Sequence, residues 1–200
     1  GSVVKLNSGS ELRYPSSFAG MDNRQVYLKG EAFFEITKNP KKPFVVKTEE
    51  MFTQVYGTVF NISAYENDDK IEVVLVEGSV GVGGKNAFNA ETLKMIKPFQ
   101  KVTNSTVLYN TYHIEDVDVT PYIAWTKGIV AFQNEQMSGI IKKLERQFNV
   151  KIINENEMLG ELRFTGMFDK EGIDLILKTI QTHTHFTYSK EGTIITIKKQ

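Results

Sequence analysis

The sequence contains no cysteine in 200 residues. That excludes disulfide staples and thiolate metal sites, and it fits any redox compartment. Charge of one sign is also lacking: 24 Lys and Arg stand against 24 Asp and Glu. The balance is 13 basic to 12 acidic over 1–112, none to three over 113–123, and 11 to nine over 124–200. No stretch carries the basic surplus of a nucleic-acid binder. No apolar run approaches the ~20 residues that cross a bilayer. Tryptophan occurs once, at Trp125. What remains is core material: 40% of residues are hydrophobic, enough for one large domain or two small ones. The chain opens Gly1-Ser2 rather than with methionine, which reads as a processed or excised piece.

Three stretches of the first half share one grammar: Gly30 to Ile36, Gly57 to Tyr65 and Val76 to Val82. Each sets a glycine at a bend beside alternating or β-branched apolar residues, as short strands do when they turn corners. Val26-Tyr27-Leu28, Phe44-Val45-Val46 and Ile71 to Val76 extend the strand text. Asn7-Ser8-Gly9-Ser10, Asn39-Pro40, Glu66 to Asp69 and Gly83-Gly84 punctuate it. No eleven-residue window before Tyr112 keeps a helical period. The expectation for 1–112 is an all-β domain, a sandwich or a solenoid-like roll of roughly ten short strands. Residues 113–123 turn acidic and reach Pro121, and are expected to be a linker.

The text from 124 to 200 alternates helix and strand. Asn134 is placed to cap a helix with Met137, Ile140, Ile141, Leu144 and Phe148 on one face. Asp169 is placed to cap a second, with Ile173, Ile176, Leu177 and Ile180. The two match at an offset of 36, which also carries Phe132 onto Phe168. The repeat predicts a small α+β domain of two βαβ-like halves. In its last strand, Ile195 and Ile197 are expected to face away from Ile194 and Thr196.

Chemistry is sparse. Gly78 to Lys85 resembles a phosphate-binding loop, but Ser79 stands where the first glycine is needed and Asn86 replaces the hydroxyl residue, so a hairpin turn is expected. His183 and His185 share a strand face, yet no carboxylate follows at metal-ligand spacing, and the remaining histidine, His113, is distant in sequence. The pairs Asp116 and Asp118, and Glu155 and Glu157, read as solvated loop carboxylates rather than an acid–base couple. No nucleophile elbow is present. These readings give no catalytic residue, no cofactor and no metal ligand. Trp125 is expected to pack between the domains or in the small domain's core, or else to touch a partner.

The motifs occur in a distinctive order. They are residues 1–18, Val26 to Ile36, Pro43 to Thr48, Val55 to Tyr65, Val74 to Val80 and Ala124 to Phe132, followed by the two βαβ halves. This order closely resembles the periplasmic region of FecR-like anti-sigma regulators of the Bacteroidetes type. The second half is similar to their C-terminal domain, which has the fold of short secretin-and-TonB N-terminal (STN) domains. The resemblance implies a non-enzymatic relay. A cytoplasmic segment, absent here, would bind an extracytoplasmic-function sigma factor. One transmembrane helix would follow, and this chain would be the periplasmic sensor. The implied partner is the periplasmic signalling domain of a SusC-like TonB-dependent transporter. No nucleic acid or small-molecule substrate is implied.

A terminal alternating strand offers an edge for a partner strand, so Ile194 and Thr196, or Arg163 and Phe164 in the middle strand, are the expected docking residues. The competing reading is an envelope carbohydrate-binding or adhesion protein. The β-rich half permits it, and the single tryptophan argues against a stacking platform for sugars.

Overall fold

A computed structural model describes residues 1–84, 93–105 and 112–200. The chain divides into two compact units, Gly1–Thr126 and Lys127–Gln200.

The described residues of the first unit form β1 (Val3–Leu6), β2 (Glu11–Arg13), β3 (Arg24–Glu35), β4 (Phe44–Lys47), β5 (Met51–Val55), β6 (Val59–Ala64), β7 (Lys70–Glu77), β8 (Val80–Gly84), β9 (Lys94–Ile96), β10 (Gln100–Ser105) and β11 (Tyr112–Asp116). The strand order is β11-β10-β7-β6-β3-β4-β5-β8-β9, with β1 and β2 also on β3. The long strand β3 belongs to two layers. Its first half pairs with β2 and β4, and its second half with β1 and β6. The change falls at Gly30, where φ is +91° and a Cβ would lie 2.4 Å from Ser10 Oγ. Only glycine takes that backbone without strain or collision. Gly57 and Gly78, which open the bends of the other two motifs, also have positive φ.

The alternation of β3 sends Val26, Leu28, Ala32 and Phe34 inward. They meet Phe44, Val46, Met51 and Val55 from one layer and Phe60, Ile62, Val73 and Leu75 from the other. Phe34 and Phe60 stack with centroids 4.9 Å apart. One continuous, nearly closed sheet thus folds over a single core, as the all-β expectation requires. Gly78 and Ser79 join β7 to β8, strands that lie in different layers and do not pair. That junction is a corner, while the rest of the glycine-rich stretch forms β8, which pairs antiparallel with the next strand, β9; residues 85 and 86, where a hairpin turn was expected, fall outside the described residues. Residues 113–116 are not linker: β11 pairs with β10 from Asn104↔Tyr112 to Gln100↔Asp116. The acidic composition that suggested a linker belongs to an exposed edge strand, where charge discourages stray pairing.

The chain then makes one turn of helix, α1 (Thr120–Ile123), and a 3-10 turn over Ala124–Lys127. The second unit runs β12 (Ile129–Gln136), α2 (Met137–Phe148), β13 (Lys151–Asn154), α3 (Glu157–Glu161), β14 (Arg163–Asp169), α4 (Ile173–Gln181), β15 (Phe186–Glu191) and β16 (Ile194–Lys199). β12 and β14 form a two-stranded antiparallel sheet, and β13-β16-β15 a three-stranded one. The expected helical faces form the core. Met137, Ile140, Ile141 and Leu144 meet Ile173, Ile176, Leu177 and Ile180, with Phe132, Ile152, Phe186, Ile195 and Ile197 closing it.

The offset-36 repeat is a geometric symmetry. Ala131 pairs with Met167, its own repeat counterpart, and Val130↔Phe168 mirrors Phe132↔Gly166. A pseudo-two-fold axis therefore passes through the Ala131–Met167 pair. Asn134 and Lys170, also 36 apart, share positive φ of 46° and 68°. The symmetry ends after β13 and β15: residues 157–161 form α3, whereas of their counterparts 193–197 all but Thr193 lie in β16.

The expected caps are not used. Gln136 and Gly172 precede the helices without side-chain hydrogen bonds. Asn134 lies instead in a bulge of β12, and Asp169 ends β14. A left-handed residue lies three positions before each helix, within the bulge of β12 in one half and just past the end of β14 in the other.

Candidate partner-binding surfaces

β16 lies between β13 and β15, so it is not an edge strand. Its alternation is as expected: Ile195 and Ile197 are fully buried, while Ile194 is 46% exposed. Ile194 and Thr196 therefore sit on an open sheet face. Thr196 pairs with Ile153, itself 44% exposed, and Ile194 pairs with Lys151. Lys151 is held by Glu145 at 3.0 Å and Lys198 by Glu155 at 3.7 Å. The result is a small apolar patch rimmed by paired charges.

β14 does have an unpaired side among the described residues, since its sheet contains only β12. Its burial alternates strictly, with Arg163 outward and Phe164 half-buried against the second core. Arg163 also has a local task. Its Nη1 donates to the Asn134 carbonyl at 2.6 Å, and the Asn134 amide donates to Thr165 Oγ1 at 2.9 Å. Together they clamp the bulge between Phe132 and Glu135.

The third surface was not singled out in the sequence. On the outward side of the layer β6, β7, β10 and β11, Phe33, Asn61, Val74, Lys101 and Glu115 lie in one cross-strand row. Phe33, Asn61, Val74 and Lys101 are all buried, although they face away from the first unit's core. Trp125 Nε1 donates to Asn61 Oδ1 at 3.2 Å, and Lys101 Nζ donates to Tyr122 Oη at 3.1 Å. Both partners come from the short segment that follows β11. Trp125 thus belongs to the first unit and is absent from the small domain's core.

The polar groups of this face are paired within the sheet. Glu31 accepts from Asn7 Nδ2 at 2.7 Å and from Asn61 Nδ2 at 2.8 Å. Lys101 meets Glu72 and Glu115 at 3.0 Å each. Burial pushes the Glu72 carboxyl up, but Lys70 and Lys101 outweigh it and hold it below the usual range. Burial likewise pulls the Lys101 ammonium down, and Glu72, Tyr122 and Glu115 more than reverse that, leaving it raised. The Asp118 carboxyl is held low by the Thr120 amide, which donates to it at 2.9 Å. A polar Asn61 inside the apolar run Val59 to Ile62 was the available sequence signal for this face.

The residues weighed for chemistry are dispersed. His183 and His185 are exposed in the turn after α4, and His113 is exposed on β11. Asp116 accepts from Gln100 at 2.9 Å. Among the described residues no group of three or more His, Asp or Glu is placed to hold a metal. No described helix is long and apolar enough to cross a membrane.

Comparison with known proteins gives the class. The model of the FecR protein family matches residues 1–81, and that of the FecR C-terminal domain matches 129–197. The chain belongs to the FecR-like anti-sigma factor family. A protein of Parabacteroides distasonis ATCC 8503, provisionally described as an anti-sigma factor, is similar over the whole chain. Its crystal structure at 1.65 Å gives a TM-score of 0.91 at 29% identity, covering 100% of this chain and 91% of that one. A second structure, of the same description at 2.50 Å, gives 0.90 at 29% identity with the same coverage. No curated protein matches the chain. The family is a regulatory one.

Proposed function

We propose that this chain is the periplasmic sensor of a transmembrane anti-sigma regulator. It receives a signal from the periplasmic signalling domain of a SusC-like TonB-dependent transporter and relays it to an extracytoplasmic-function sigma factor. The sigma factor is reached through a cytoplasmic segment outside this sequence. The observation that carries the reading is the order of the two FecR domains along one chain. On this reading the second unit is an STN-like domain and the docking module. Its apolar patch of Ile194, Thr196 and Ile153 and the free side of β14 at Arg163 and Phe164 are the surfaces offered to the transporter. A free edge gains affinity from main-chain hydrogen bonds, and the exposed side chains confer specificity.

Calorimetric titration of the 200-residue chain with the signalling domain of the transporter encoded beside it tests this. Binding of about micromolar strength is expected, weakened at least about tenfold by Ile194→Asp or by Arg163→Glu. A folded chain that does not bind, or binding untouched by both substitutions, refutes the assignment.

A further inference from the structure

We infer that residues 117–126 form a releasable strap, docked on the outward row Phe33, Asn61, Val74 and Lys101 and able to leave it as a unit. The strap leads directly, along the chain, into the second unit, so this inference deepens the proposed relay and gives it a moving part in the first unit.

Three observations converge. First, the strap is built from weak elements. α1 has four residues, its first amide held only by the exposed Asp118 carboxylate at 2.9 Å, and it is followed by a four-residue 3-10 turn. Such short helices have no intrinsic stability and persist only while docked. Second, the polar ties to the sheet are local: at the start of the strap the Val117 amide donates to the Phe99 carbonyl at 2.8 Å, and in its middle Tyr122 Oη accepts from Lys101 and Trp125 Nε1 donates to Asn61. Between them, Ala124 is buried, and Val119 is buried just before.

Third, the charges beneath keep partners when the strap leaves. Lys101 retains Glu72 and Glu115, and Glu31 retains Asn7 and Asn61. Losing the strap therefore strands no buried ion, the event that otherwise makes opening prohibitive. Release does uncover Phe33 and Val74, which holds the docked state as the ground state. The uncovered row is an apolar pair beside an ionic cluster, a contact surface that the docked state hides.

The sole tryptophan is part of the strap and reports its position directly. The experiment uses the full chain and reads acrylamide quenching and emission maximum of Trp125, with hydrogen exchange resolved by peptide. The variants are Tyr122→Phe and Asn61→Ala, each of which removes one tie. Release as a unit predicts that Tyr122→Phe, three residues away and not touching the indole ring's hydrogen bond, raises Trp125 quenching about twofold or more and shifts emission to the red. Exchange over 117–126 should quicken about fivefold or more while peptides of β6 and β7 hold their protection. Three results would overturn the inference: unchanged Trp125 quenching in Tyr122→Phe; quickening confined to the substituted residue; or strap and sheet exchanging together. None needs the transporter, so failure here is distinguishable from failure of the titration.

Discussion

Replacing Lys101 by methionine removes the cation at the centre of the ionic cluster with little change in side-chain length. Its side chain is 10% exposed and that of its partner Glu72 is 15% exposed. Removing one member of a buried ion pair costs about 3–5 kcal/mol, because the other charge stays buried without compensation. Glu72 keeps a second contact, Lys70 at 3.0 Å, whose side chain is 48% exposed and so compensates partly. The expected loss is therefore about 2–3 kcal/mol at neutral pH, at or below the bottom of that range.

The pH dependence supplies an independent check. The folded Glu72 carboxyl lies below its unfolded value, so its stabilisation is present above the unfolded value, about 4.3, and is lost as pH falls through the folded one. In Lys101→Met only Lys70 opposes burial, so the folded carboxyl moves up and the variant loses less on acidification. The gap between wild type and variant should narrow below about pH 4. Urea unfolding followed by Trp125 emission isolates the first unit, since the second contains no tryptophan. In a Glu72→Gln background the same substitution should cost at least about 1 kcal/mol less. A loss under about 0.5 kcal/mol at pH 7, or a gap that is the same at acid pH, would refute the account of the cluster.

Three further outcomes follow from packing. Phe34→Ala empties a fully buried site stacked on Phe60 and should cost about 3–5 kcal/mol in urea melts of the first unit, leaving the second unchanged. Gly166→Ala places a Cβ 3.0 Å from ring carbons of both Phe132 and Phe168, and should cost about 1–2 kcal/mol, read as a lowered melting step for the second unit. Asn156 accepts a long, 3.4 Å bond from the Leu159 amide at the start of α3, so Asn156→Ala should cost about 0.5–1 kcal/mol, seen as faster amide exchange over 157–161 only.

Periodicity carried most of the fold. The inward faces of α2 and α4, the offset of 36 and the alternation of β16 were all readable, because burial imposes a spacing on apolar residues. The positions that sequence misplaced are those where pairing, not burial, decides. β16 reads as an edge because it is last in the chain; its place between β13 and β15 depends on partners whose identity no local pattern records. Asn134 reads as a cap because asparagine favours both caps and left-handed backbone, and here the bulge took it. The acidic run over 113–118 looked like linker because a charged edge strand and a solvated loop have the same composition. The strap face was the least legible of all. Lys101, Glu72 and Asn61 are buried by a cover, and a cover leaves a spacing signal only in the element beneath it.

The single unmatched strand of the second unit sets its polarity. A body of two equal halves about an axis looks the same after a half-turn, so a partner could seat on it in either sense with equal energy. β16 fills the gap between the related strands β13 and β15, running parallel to one and antiparallel to the other. It marks one end of the repeat as different from the other, and a bound partner then has one preferred heading.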